Sequence, residues 1–264
     1  MQAWRVALFA LLLAGLPALP GAAGASPLFE LPEHPQIDRV ALERYAARTL
    51  RLRESQARGA GEFGCLRSCA MLERAFARIA AAAREQGEPA GGQLQWQLVV
   101  TRTRGEAALS LPGGHIVVSE DMIAELGLSE AELAFIIAHE AAHVLLQHEA
   151  EVLDYLQASL LPRGLHRSVW DLYAELDYNT AALLRLQGLM QQGELEADFA
   201  GLLLGAQAGY DPAAMRSALA KIAAGEQQRS GIVRTHPAMA RRLTQIEGAM
   251  PMARRLQELT AARQ

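Results

Sequence analysis

From Ala134 to Glu149 the chain reads AFIIAHEAAHVLLQHE, an apolar run of helical length with His139, Glu140 and His143 set inside it. Ile, Ala, Val and Leu at this density belong in a core. The fold must therefore bury this segment together with polar side chains that need partners there. Just upstream, Ser129-Glu130-Ala131-Glu132 has the form of a capping box, which starts a helix running to about His148.

At about 100° per residue, His139 and His143 lie roughly 40° apart around the helix axis, so both imidazoles project to one side. Glu140 reaches the same space without having to ligate. This H-E-x-x-H spacing lets two nitrogens share a metal ion while a carboxylate beside it acts as general base. His148 follows His143 by five residues, hence about 140° round the helix, and is expected to face solvent at the helix end. The longer pattern H-E-x-x-H-x-x-G-x-x-H fails, because Leu146 and Glu149 stand where Gly and His are required. A third ligand is better sought in GELEAD. There Glu194 and Asp198 are four apart and share a face, with Glu196 roughly opposite. Glu194 can supply an oxygen ligand, and Asp198 can accept the free N–H of a ligand imidazole. A His139, His143, Glu194 set leaves one coordination position open, as catalytic zinc sites do.

The rest of the chain alternates between helical and strand periods. Ile37 to about Gln56 reads as an amphipathic helix rich in Arg, and Gly59–Gly64 as a loop. Cys65–Glu85 carries the stripe Cys65, Cys69, Leu72, Phe76, Ile79 and Ala83, and Gly87–Gly92 breaks it. In QLQWQLVVTRT, Leu94, Trp96, Leu98 and Val100 alternate with glutamines, the mark of a half-buried strand. Ala107–Leu111 and His115–Ser119 follow as short strands joined by Pro112-Gly113-Gly114, and His115–Ser119 is expected at the sheet edge. Ser119 can cap a short helix that stops at Gly127. Helical stretches are expected at Glu151–Leu160, at Val169–Gln191, after Gly193 as far as Gly209, at Pro212–Ala224 and at Pro237–Ala262. The expected class is α+β, mostly helical, with one small sheet beside the H-E-x-x-H helix.

The net charge of −4 over 264 residues gives no basic field, so nucleic acid is not an expected partner. Arg5, the apolar run Val6–Leu19 and Ala23-Gly24-Ala25 read as a signal peptide, with cleavage expected before Ser26. That run is short of the roughly 20 residues a membrane span needs. The expectation is an exported, periplasmic protein with no transmembrane segment in the mature chain. Its metallopeptidase domain would span 26–264, with 26–60 as a helical arm. Cys65 and Cys69 are the sole cysteines. They are read equally as a disulfide, which an oxidising compartment permits, or as two small core residues, because four helical residues set their Cβ atoms too far apart for a bridge.

The segments LPGGHIVVS, AELAFIIAHEAAHV, ELEAD and THPAMARRL occur in that order. Together they resemble the gluzincin metallopeptidases of the HtpX and CAAX prenyl protease group. Within that group the chain looks like the soluble periplasmic BepA-like branch without its repeat domain. The resemblance covers Cys65 to Gly248. It implies a zincin-like domain with one zinc ion per chain held by His139, His143 and Glu194, Glu140 as base, and Asp198 behind a ligand. It also implies endopeptidase action on unfolded or misfolded exported and membrane-associated proteins, with outer-membrane assembly components as further partners. One departure stands out: Ala107 replaces an Asn that the family uses to hold the substrate backbone. His236, followed by Pro237, is expected to be catalytic. It would either donate to the oxyanion of the tetrahedral intermediate or bind the metal as a latch. The rival reading is a non-catalytic chaperone or assembly adaptor using the same groove.

Overall fold

The computed structural model describes residues 37–87, 94–103, 107–160, 166–226 and 238–262. The expected signal segment 1–25 and His236 lie outside these residues.

Helix α1 (Arg39–Gly59) is capped by Asp38, whose carboxylate accepts from the Val40 N–H. Helix α2 (Cys69–Glu85) leads into three strands, β1 (Gln97–Thr101), β2 (Ala108–Leu111) and β3 (His115–Ser119). Helices α3 (Glu120–Leu126) and α4 (Glu130–Leu146) follow, then α5 (His148–Tyr155), which runs into one π-helical turn at Leu156–Leu160. Helices α6 (Val169–Tyr178), α7 (Thr180–Gln207), α8 (Ala213–Glu226) and α9 (Met239–Ala261) complete the fold. The mostly helical α+β class is as the sequence implies.

The strand order is β1-β3-β2, with β1 parallel to β3 and β2 antiparallel to it. This corrects the expectation that His115–Ser119 forms the edge. The Pro-Gly-Gly turn does make a hairpin of β2 and β3, but β1 returns along the other side of β3, a non-local pairing that period alone cannot reveal. Gly114 makes the turn possible: at φ 96° it occupies left-handed space, and a Cβ there would lie 3.0 Å from the Gln95 backbone. The outer edge of β1 is engaged by the loop between α1 and α2, through Gly64 N–H to Val100 O and Arg102 N–H to Glu62 O. Among the described residues β2 is therefore the open edge. Leu109 and Leu111 pack with Val99, Val117 and Leu50 of α1 on one face of the sheet. Ala108 and Leu98 join the main core on the other face, against α4.

Helix α4 is the centre of that core; Leu133, Phe135, Ile137, Ala138, Ala141, Ala142 and Leu145 are almost wholly buried. Its longest contact is with α7, and small residues set how close the two run. A Cβ on Gly201 would lie 2.9 Å from His139 Cα, and one on Gly205 would lie 2.3 Å from the Phe135 ring. Glycine inside a helix costs roughly 0.5–1 kcal/mol relative to alanine; here it is offset by close packing, against backbone at Gly201 and against the Phe135 ring at Gly205. The sequence reading took Gly193 as the start of a helix and Val169–Gln191 as one piece. The break instead falls at Asn179, whose side chain accepts from Ala182 N–H, and α7 runs straight through Gly193.

Cys65 and Cys69 form a disulfide with a Cα–Cα distance of 5.5 Å. The helical-spacing objection does not apply, because α2 begins at Cys69 and Cys65 lies in the loop before it. In that loop the N–H groups of Leu66, Arg67 and Ser68 all donate to the buried carboxylate of Glu120. Ser119 occupies the N-cap position of α3, yet its hydroxyl donates to Thr103 O and caps nothing.

The capping box of α4 is formed: Ser129 Oγ accepts from Glu132 N–H, and Glu132 accepts from Ser129 N–H at 2.7 Å. Glu132 also takes Lys221 Nζ at 2.8 Å and the Ser217 hydroxyl at 2.5 Å. Burial alone would raise this carboxyl, but Lys221, Ser217 and Ser129 outweigh it and hold the pKa at about 2 against an ordinary 4.5. A depressed folded-state pKa contributes stability that is present above the unfolded value and is lost as pH falls through the folded one. We therefore expect on the order of 2 kcal/mol of stability to disappear between about pH 5 and pH 2. Unfolding titrations of Glu132→Gln should lack that component; an acid limb identical to wild type would refute it.

Candidate metal centre

His139 and His143 stand on the last turns of α4 and Glu194 in the middle of α7, and one ligand atom from each lies within 4.8 Å of the others. The two Nε2 atoms are 3.1 Å apart, and Glu194 places its oxygens 3.3 Å from His143 Nε2 and 3.6 Å from His139 Nε2. Ligands at about 2.0–2.1 Å from a tetrahedral zinc are about 3.3–3.4 Å from one another. The three separations straddle that edge, so the residues fit the ion. The electrostatics agree. Burial would discharge His139, but Asp198 and Glu194 outweigh it and push its pKa up to about 10. Two carboxylates set this close to His139 make a negative potential that favours a cation.

Behind these three residues, Asp198 Oδ1 sits 3.1 Å from His139 Nδ1, off the line of a well-aligned hydrogen bond. Asp198 is completely buried, and Arg242 of α9 grips it with two parallel bonds of 2.7 Å. Burial raises the Asp198 carboxyl, while Arg242 and His139 more than reverse this and leave it below the usual range. The sequence reading placed Asp198 behind a ligand but gave Arg242 no role; the sole hint was its position in THPAMARRL.

Glu140 faces the same cavity and accepts from the Ser110 hydroxyl of β2 at 2.9 Å. Ser110 went unnoticed from sequence, although strand alternation puts it on the same face as Ala108 and opposite Leu109 and Leu111. The cavity holds about 450 Å³ and runs from β2 past His139, His143 and Glu194 to Leu176 and Tyr173 of α6. At its far wall Tyr173 donates to Glu149, and burial pushes that carboxyl up to about 7. Two further expectations fail here. His148 is buried against His143 and does not face solvent, because α4 ends at Leu146 and the 140° rotation presumed an unbroken helix. Glu196 does not point away from the site either; its carboxylate reaches His148.

A buried H-E-x-x-H helix, a glutamate from a neighbouring helix and an open strand edge define a zincin-type metallopeptidase domain, with zinc as its metal. The chain belongs to peptidase family M48, whose model matches residues 68–250. Among curated proteins it is similar to the mitochondrial metalloendopeptidase OMA1 of Schizosaccharomyces pombe, 32% identical over 163 residues, which is 61% of this chain and 48% of that protein. The OMA1 proteins of Arabidopsis thaliana and Saccharomyces cerevisiae are 32% and 29% identical, over 56% and 62% of this chain and 30% and 50% of theirs. The chain thus spans half or less of the length of these relatives. The likeness stands at the level of the family; the narrower placing in a BepA-like branch is not what these relatives indicate. They also overturn the expected periplasmic location, since all three are named as mitochondrial. Among the described residues no helix is long and apolar enough to cross a membrane.

Proposed function

We propose that this protein is a zinc-dependent endopeptidase that cleaves unfolded or misfolded proteins presented as extended chain. The observation that carries the reading is the convergence of His139, His143 and Glu194 on one point, with Glu140 beside it. The likeness to metalloendopeptidases along the same stretch supports it. Zinc held by these three residues would supply Lewis-acid chemistry, acidifying a water molecule and polarising the scissile carbonyl. Glu140 takes the proton from the attacking water and returns it to the leaving amine. Ser110 holds the Glu140 carboxylate from the β2 side. Asp198, anchored by Arg242, sets the orientation of His139. The open edge of β2 borders the cavity, so an extended substrate can add to the sheet through main-chain hydrogen bonds while its scissile bond lies over Glu140.

The direct test is metal content together with cleavage of casein. Purified protein should contain about one equivalent of zinc and digest casein in a chelator-sensitive manner. A His139→Ala/His143→Ala double variant should lose both. Full zinc content in that variant would remove the assignment, and a zinc-loaded wild type that binds casein without cutting it would point to a chaperone or adaptor.

A further inference from the structure

The ring nitrogens of His139 and His143 that face away from the metal position have different neighbours. His139 Nδ1 faces Asp198. His143 Nδ1 lies 2.9 Å from His148 Nδ1. The other nitrogen of His148, Nε2, lies 3.4 Å from Glu196 Oε2, and Glu196 Oε1 accepts from Gln192 Nε2 at 2.9 Å. Two features of the fold serve this contact. Gln147, between α4 and α5, has φ 57° and is the one non-glycine residue with positive φ among the described residues. Left-handed backbone costs an ordinary residue roughly 1–2 kcal/mol. The turn it makes brings His148 back beneath His143 instead of round to the outer face. On the other side the His148 ring lies flat against α7 at Gly193, where a Cβ would already touch it at 3.4 Å.

We propose that His148 is a positioning residue of the metal centre, holding the Nδ1 proton of His143, with Glu196 fixing His148 in turn. The proton assignment follows from one end. An ionised carboxylate only accepts, so Glu196 requires the N–H of His148 at Nε2. His148 Nδ1 is then the acceptor, and His143 must carry its proton on Nδ1. That leaves His143 Nε2 with a free lone pair, aimed at the point where the Nε2 of His139 and the Glu194 carboxylate converge. The three acidic residues of GELEAD thereby take separate tasks: Glu194 at the metal position, Glu196 behind His143 through His148, and Asp198 behind His139. Such outer partners orient a ligand imidazole and raise its basicity.

The inference rests on the metal reading, and the experiment separates the two. Zinc affinity of the full chain is measured by competition with a chromogenic chelator, and the His143 Nδ1–H resonance is followed in the zinc-loaded protein. His148→Ala should raise the zinc dissociation constant by about 10–100-fold and abolish the slowed exchange of that N–H. His148→Gln, which keeps an acceptor and a donor, should restore most of the affinity. Glu196→Gln should weaken binding by a smaller factor and shift the same resonance. Glu196 is partly exposed, so this variant decides the matter if His148→Ala does not fold. Zinc affinity and N–H exchange unchanged in folded His148→Ala, or in Glu196→Gln where that one decides, would overturn the inference while leaving the metal site intact. A wild-type chain that binds no zinc would overturn the metal reading and this inference with it.

Discussion

Glu140→Gln should retain its zinc and lose about 10²–10⁴-fold in casein cleavage. The substitution keeps the shape of the side chain and leaves Ser110 a carbonyl oxygen to donate to, in place of the carboxylate it now meets at 2.9 Å. It removes the one function that a neutral amide cannot perform, taking a proton from water. The expected signature is a fall in kcat with little change in KM, because the β2 edge that would hold the substrate is untouched. Cleavage at the wild-type rate, in a preparation shown to be free of contaminating protease, would exclude Glu140 as the base.

The second large effect is expected at Arg242. Asp198 has no solvent exposure, and Arg242 meets both of its oxygens at 2.7 Å. Arg242→Met preserves much of the volume and strands a carboxylate in the core beside His139. Removing one partner of a buried pair costs about 3–5 kcal/mol, because the remaining charge is uncompensated. That is a large part of the 5–15 kcal/mol that holds a typical domain together. The urea unfolding midpoint should therefore drop sharply, and zinc should be held more weakly as His139 loses its fixed neighbour. Arg242→Lys should recover part of the loss, since it keeps the charge but not the two-pronged geometry. Wild-type stability and zinc content in Arg242→Met would show that the pair is incidental.

The convergence of His139, His143 and Glu194 was legible in the sequence because its information is local. Helical spacing puts His139 beside His143 and Glu194 beside Asp198, and a two-helix site needs little more than the meeting of those two faces. What escaped depends on contacts across the chain or on a single backbone angle. The 140° rotation placed His148 outward for a continuous helix, and one left-handed residue at Gln147 reversed that placement. Gly193 reads as a helix breaker when nothing is known of the ring pressed against it. β3 reads as an edge because its partner β1 lies beyond the hairpin, and parallel pairing leaves no turn signature. Ser110 carries no motif of its own and Arg242 has only its place in THPAMARRL; each acquires meaning from the carboxylate it faces.

The open edge of β2 has a further consequence, on the proposed reading of the site. It extends over four residues, Ala108 to Leu111, so a substrate segment that pairs along it must offer about 13 Å of free strand. Main-chain pairing is blind to most side chains, so the edge acts as a ruler for slack in another polypeptide. A well-packed domain is refused because its strands are already paired and its helices have closed their own hydrogen bonds. The same domain becomes admissible once local unfolding releases a short stretch. Selectivity would then follow the opening free energy of the target more than its sequence, and a single destabilising mutation elsewhere in that target could turn a bystander into a substrate.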